Sequence, residues 1–209
     1  LAIGDCDDDG RLDVFITSIY DPFDTCNTGE CTWGDSGNRM YRSDGGRQFS
    51  DRTLAMGVEN GGWGWGASFL DCDRDMDTDL VMTNGYDFPG TLSEDDLFHD
   101  DPLRLWSNPG VPPFAEIAAQ EGLTDTRDGK GLLTFDYDSD GDLDVFVVNN
   151  ADPAVLYRNE SQGNWLQIEL LGNAQINFGF EQARQPVRRL FRRCGFIFQT
   201  TFQIRSDLR

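Results

Sequence analysis

Three stretches of the sequence place aspartate at loop positions 1, 3, 5 and 9: Asp5-Cys-Asp-Asp-Asp-Gly-Arg-Leu-Asp13, Asp71-Cys-Asp-Arg-Asp-Met-Asp-Thr-Asp79 and Asp136-Tyr-Asp-Ser-Asp-Gly-Asp-Leu-Asp144. That spacing suits the capture of a hard cation. Alternation lets Asp5, Asp7 and Asp9 converge, as it does Asp71, Asp73 and Asp75, and Asp136, Asp138 and Asp140. Asp13, Asp79 and Asp144 then close each site from the other side, and position 7 (Arg11, Asp77, Asp142) is expected to add its backbone carbonyl. Ca2+ takes about six to eight oxygens and fits such a cage, whereas Mg2+ demands a smaller octahedron and keeps its waters. Softer metals are disfavoured by an all-oxygen donor set. An EF-hand would carry Glu at loop position 12, where this chain has Ile16, Met82 and Val147. Acidic runs are often mere solvated surface, but three in register, each leading into an apolar strand, are not. The second loop is expected to be the weakest, because Met76 stands where Gly10 and Gly141 stand in the others.

The elements that position these loops repeat with them. The loops begin 66 and 65 residues apart, a period that marks repeated structural units. Each leads into a β-rich run, Val14–Thr17, Leu80–Thr83 or Val145–Val148, and the last two follow Gly66–Leu70 and Gly131–Phe135. A second strand with an aromatic comes next, at Arg39–Arg42, Arg104–Trp106 and Val155–Arg158. A third is expected at Gln48–Asp51, Pro113–Glu116 and Trp165–Glu169, with no convincing helix anywhere. The fold class is therefore all-β. Four short strands per unit suit one blade of a β-propeller, so the chain reads as a partial propeller of about three four-stranded blades with calcium-binding loops. The variable segments 18–38, 84–103 and 149–154 are expected to share one rim, and the remaining blades to lie in a longer chain.

At this point the residues resemble a known family. The Asp-x-Asp-x-Asp-Gly-x-x-Asp loops entering a strand are similar to the FG-GAP or VCBS repeats of integrin-α-type propellers. Asn38-Arg-Met-Tyr-Arg-Ser-Asp-Gly-Gly-Arg-Gln-Phe-Ser-Asp-Arg-Thr53 and Asn164-Trp-Leu-Gln-Ile-Glu-Leu170 resemble the cartilage acidic protein family, whose repeats precede an ASPIC/UnbV domain. The resemblance covers residues 1–171. It implies repeats over 1–70, 71–135 and 136–163, the start of an ASPIC/UnbV domain at 164–171, and a divergent tail at 172–209. It also implies that the twelve aspartates at positions 1, 3, 5 and 9 are the ligands, and that the protein is secreted or displayed at the cell surface with calcium stiffening the propeller.

The charge distribution agrees with a metal-binding body. The formal net charge is −20. Residues 1–171 hold 35 acids and 10 Lys or Arg, whereas residues 172–209 hold seven arginines against Glu181 and Asp207. Such acidity repels phosphate backbones and anionic membranes, so nucleic acid is not an expected partner. No apolar run is long enough to span a membrane. The Arg-rich tail departs from the family pattern and is read either as poorly ordered or as a basic patch docking on the acidic blades. His99 is the single histidine, which removes His-based triads and multi-His zinc sites; it is read as a solvated loop residue. Cys26 and Cys31 are a disulfide candidate, suited to an oxidising compartment. Cys6 and Cys72 are read as two small buried thiols, or as a pair if neighbouring repeats bring them together, and Cys194 has no obvious partner.

The remaining motifs carry less. Gly61-Gly-Trp-Gly-Trp-Gly66 does not fit a phosphate-binding loop and is read as close backbone packing. Trp106 and Trp165 are expected in the core, and Trp33, in the long first loop, is the candidate for ligand contact. Asn159-Glu-Ser161 is a glycosylation sequon. Nothing forms a catalytic constellation, so the expected function is an extracellular module for protein or carbohydrate binding or adhesion, with structural calcium. The alternative is a non-catalytic, substrate-holding propeller of a secreted enzyme acting on polysaccharide.

Overall fold

A computed structural model gives the fold and describes residues 1–20, 37–86, 98–161, 164–167 and 196–199. The chain divides into two compact units, Leu1–Ser161 and Gln162–Arg209. The first holds three antiparallel sheets, each an open meander. Sheet 1 runs β1 (Ala2–Gly4), β2 (Asp13–Ile16), β3 (Arg39–Gly45) and β4 (Gln48–Asp51); sheet 2 runs β5 (Gly64–Leu70), β6 (Asp79–Asn84), β7 (Arg104–Ser107) and β8 (Ala115–Glu116). Sheet 3 has three strands, β9 (Gly129–Phe135), β10 (Asp144–Asn149) and β11 (Val155–Tyr157). Every aspartate loop joins the first strand of its sheet to the second, and position 9 is the first residue of that second strand. The registers match across the repeats, with Gly4↔Asp13, Leu70↔Asp79 and Phe135↔Asp144 at the mouths of the loops.

Alternation along each strand sets which side chains meet the next sheet. Ala2, Phe15 and Met40 of sheet 1 pack with Ala67, Phe69, Leu80, Met82 and Trp106 of sheet 2. Leu70, Val81 and Leu105, on the opposite face of sheet 2, pack with Leu132, Val145, Val147, Val155 and Tyr157 of sheet 3. Trp106 is a core residue, 2% exposed, meeting Phe15 edge-on at 6.1 Å. The same alternation leaves two outer faces apolar and open. Leu133, Phe135, Val148 and Leu156 are exposed on sheet 3, and Leu1, Ile3 and Ile16 on sheet 1. The glycine run sits at close contacts, as expected from its sequence: a Cβ on Gly66 would lie 2.9 Å from the Leu132 amide nitrogen.

Three expectations need correction. A single-turn helix, α1 (Thr53–Met56), follows sheet 1, ended by Gly57 at φ 72°; four residues are too few to show helical periodicity in the sequence. Among the described residues, sheet 3 has no fourth strand at the expected Trp165–Glu169. That segment forms β12 (Asn164–Gln167) in the second unit, paired in parallel with β13 (Phe196–Gln199). The alternating apolar run of the tail thus supplies a strand. The strand read as Pro113–Glu116 is only the two residues of β8.

The variable segments gather at the end of the sheets away from the aspartate loops, as far as their described residues show. Tyr20 donates its N–H to Gly62 at 2.9 Å, and Asn150 to Asp128 at 2.8 Å. Trp63 stacks on Tyr86 at 4.1 Å, and Lys130 lies 3.8 Å over the Trp65 ring. Trp33, Cys26, Cys31 and Cys194 lie outside the described residues, and of Trp165 only the backbone, in β12, is described. His99 is an exposed loop residue beside Asp100.

Candidate metal centre

In each loop the backbone wraps around its first aspartate. Asp5 accepts N–H bonds from Asp9 at 3.1 Å and Gly10 at 2.8 Å; Asp136 accepts the same pair from Asp140 and Gly141, both at 3.1 Å. In the second loop Asp71 accepts from Met76 at 3.2 Å. Position 5 caps the turn that follows, so Asp9, Asp75 and Asp140 accept the N–H of position 7, at 3.0, 2.9 and 3.3 Å. Position 6 is left-handed in all three, with φ 82° at Gly10, 77° at Met76 and 93° at Gly141. A non-glycine residue there is strained by about 1–2 kcal/mol. Since the Met76 side chain is largely exposed, Met76→Gly should raise the melting temperature and tighten metal binding in the second loop. Differential scanning fluorimetry with a calcium titration reads both.

Three carboxylates converge in each loop: Asp5, Asp7 and Asp13; Asp71, Asp73 and Asp79; Asp136, Asp138 and Asp144. Within each set one oxygen per residue lies within 4.8 Å of the others. These are positions 1, 3 and 9. The position-5 aspartates, expected as ligands, are outside the converging sets and serve as turn caps. At position 7, the Arg11 guanidinium turns back onto Asp9 and the Ser43 carbonyl, and the Asp142 carboxylate meets Arg74 at 3.1 Å. Asp77 donates its backbone N–H to Asp75, and its carboxylate lies beside Gly110.

Position 9 does more than its spacing suggests. Asp13, Asp79 and Asp144 are fully buried. One oxygen of each accepts the N–H of position 2 in its own loop: Cys6 at 3.0 Å, Cys72 at 2.8 Å and Tyr137 at 2.9 Å. The other accepts an N–H at 2.8 Å from Ser43 within β3, or from Asn108 or Asn159 just past β7 or β11. The position-9 carboxylate therefore locks the loop to the sheet while facing the cation site.

The donor chemistry fits a hard divalent cation. All converging atoms are carboxylate oxygens, and Asp71 Oδ1 is buried with no hydrogen-bond donor among the described residues, a condition an isolated buried oxygen rarely tolerates. In the outer loops an arginine leans on position 3: Arg42 lies 3.6 Å from Asp7 and Arg158 2.8 Å from Asp138. The second loop has Ser107 at the equivalent place. Cys6 and Cys72 are free thiols, and Cys6 donates its S–H to Asp13 at 2.9 Å. Burial, followed by the position-9 carboxylates, pushes both thiols far up; they stay protonated and offer no soft thiolate ligand.

Burial, with neighbouring carboxylates behind it, raises several of the loop carboxyls. Desolvation is the largest cause at every raised site: Asp79 and Asp142 are each pushed up to about 6, and Asp7, Asp71 and Asp73 are also raised. A carboxyl with a folded pKa above its unfolded value of about 3.9 binds more protons folded than unfolded, so its contribution to stability falls as pH rises between roughly 4 and 6. In metal-stripped buffer the protein should therefore melt higher at pH 5 than at pH 7.5. Metal must displace those protons, so saturating calcium should reverse the order. Calorimetry at the two pH values checks both signs.

The sequence did not expose the residues that complete the site. Arg42 and Arg158 follow the aromatic of the third strand in their repeats, and Ser43, Asn108 and Asn159 come one position later. An alignment of Tyr41-Arg-Ser-Asp, Trp106-Ser-Asn-Pro and Tyr157-Arg-Asn-Glu carries that signal. The sequon asparagine proves to be engaged: Asn159 Nδ2 donates to the Cys72 carbonyl at 2.9 Å and the Leu143 carbonyl at 3.4 Å, and attaching a glycan there would remove one of these two donors. No protein-family model and no curated protein matches the chain.

Proposed function

We propose that the three loops are calcium sites that stiffen a partial β-propeller serving as an extracellular or cell-surface binding or adhesion module. One observation carries the reading: the same three aspartates converge in all three loops on the same strand framework. Calcium, when bound, would supply divalent positive charge to the aspartates at positions 1, 3 and 9. Asp5, Asp71 and Asp136 hold the loop backbone around it, Asp7, Asp73 and Asp138 offer exposed carboxylates, and the buried Asp13, Asp79 and Asp144 anchor it to the second strand. Successive sheets stacked through repeat-equivalent faces, with apolar faces open at both ends, support a propeller whose further blades cover those faces. The likeness of the loops to FG-GAP or VCBS repeats supports a secreted or surface setting, with a protein or glycan as partner.

Isothermal calorimetry tests the metal reading. Three calcium ions per chain are expected, falling by one in each of Asp7→Asn, Asp73→Asn and Asp138→Asn. Asp51→Ala, which alters a carboxylate bonded to the Thr53 N–H, should leave the count at three. Retention of the full count in the loop variants would defeat the reading. Calcium-dependent capture on panels of matrix proteins and glycans, with a chelator control, then tests the binding role.

A further inference from the structure

The two asparagines that follow the third strand make the same set of bonds at successive repeats. Asn108 is 4% exposed. Its N–H donates to Asp79, its side-chain Nδ2 to the Cys6 carbonyl at 2.9 Å and the Thr78 carbonyl at 3.2 Å, and its Oδ1 accepts from Gly110 at 3.1 Å. Asn159 repeats the pattern, with its N–H on Asp144, Nδ2 on Cys72 at 2.9 Å and Leu143 at 3.4 Å, and Oδ1 accepting from Ser161 at 3.0 Å. In both cases the backbone grips the position-9 carboxylate of its own loop while the side chain grips position 2 of the preceding loop.

Position 2 lies between the first two ligands of its loop, and its N–H is itself bonded to position 9 of that loop. The contacts therefore join into one run. Asp13 holds the Cys6 N–H, the Cys6 carbonyl holds Asn108, Asn108 holds Asp79, Asp79 holds the Cys72 N–H, the Cys72 carbonyl holds Asn159, and Asn159 holds Asp144. All three position-9 carboxylates sit on it. We propose that Asn108 and Asn159 are positioning residues that make the three loops one cooperative metal-binding unit. This rests on the calcium reading above. With an ion bound in one loop, the peptide between its first two ligands would be held, and through its carbonyl the asparagine and the buried carboxylate of the next loop. The next ion then binds a site whose ordering has already been met, and the effect is reciprocal between neighbours. Repeat 1 has Ser43 in place of the asparagine, and only its backbone N–H, among the described residues, makes the corresponding bond to Asp13.

A double-mutant cycle separates this coupling from simple structural support. Terbium, read by luminescence sensitised through Tyr137, reports the third loop, and Tyr137→Phe identifies that signal. Asp73→Asn disables the second loop at an exposed position. In the otherwise unaltered chain this should weaken terbium binding at the third loop by about fivefold or more. In an Asn159→Ala background the same change should alter it by less than about twofold. Should Asn159→Ala fold poorly by near-UV circular dichroism, Asn159→Ser, which copies the residue of repeat 1 and keeps the backbone bond to Asp144, takes its place. Equal weakening in both backgrounds, or none in either, overturns the coupling while leaving three independent calcium sites intact. Absence of terbium and calcium binding altogether removes the calcium reading as well.

Discussion

Saturating calcium should raise the melting temperature of the metal-stripped protein at pH 7.5 by about 15–30 °C. A ligand at about 100 times its dissociation constant stabilises the folded state by about 2.7 kcal/mol per site. Three such sites, before any coupling between them, would contribute about 8 kcal/mol, and a domain of this size gains about 2–4 °C per kcal/mol. Electrostatics gives the effect its sign. Asp7, Asp71, Asp73 and Asp79 all have raised pKa values without metal, so at neutral pH the first two loops hold ionised carboxylates against desolvation and mutual repulsion. A divalent ion removes that penalty in the folded chain and finds no assembled site in the unfolded one. The outer loops already have partial neutralisation from Arg42 and Arg158, so the second loop should contribute a large share. Magnesium at the same concentration should give a much smaller shift. A calcium-independent melting temperature at low ionic strength would contradict the expectation.

The second large effect separates anchor from ligand. Asp79→Ala should destabilise the metal-free protein by about 2–6 kcal/mol, because it orphans the buried N–H groups of Cys72 and Asn108 at about 1–3 kcal/mol each. Asp73→Ala, at an exposed position of the same converging set, should leave metal-free stability nearly unchanged and abolish only the calcium-dependent part. Urea denaturation in metal-stripped buffer, then in calcium, distinguishes them. Equal losses for the two variants without metal would show that position 9 is not a structural anchor. Against a typical total stability of about 5–15 kcal/mol, the Asp79 substitution alone approaches the threshold of unfolding.

Much of this was legible in the residues themselves. The alternating aspartates fixed the loops, and the β-rich runs after them located β2, β6 and β10 to within a residue, because an apolar strand directly after a polar loop has one plausible start. Trp165-Leu-Gln-Ile-Glu169 has strand composition, but composition does not name a partner; among the described residues β12 pairs with β13, some thirty residues on, and not with sheet 3. The division of labour among the aspartates was hidden for a similar reason. Spacing places Asp9 beside Asp7, but only the backbone path shows Asp9 capping the next N–H while Asp13 swings in beneath. The bridging role of Asn108 and Asn159 was hidden because Ser43 breaks the identity at the third aligned position and no one-dimensional pattern reveals a bond from Asn108 to Cys6.

The central claim, that each loop holds one calcium ion between positions 1, 3 and 9, is tested most directly by diffraction from crystals grown in calcium, with anomalous data collected to locate the ion. Three peaks are expected, each at about 2.3–2.6 Å from carboxylate oxygens of Asp5, Asp7 and Asp13, of Asp71, Asp73 and Asp79, or of Asp136, Asp138 and Asp144, with Arg42 and Arg158 turned away from Asp7 and Asp138. Loops without anomalous density at millimolar calcium, with both arginine pairs intact, would contradict it.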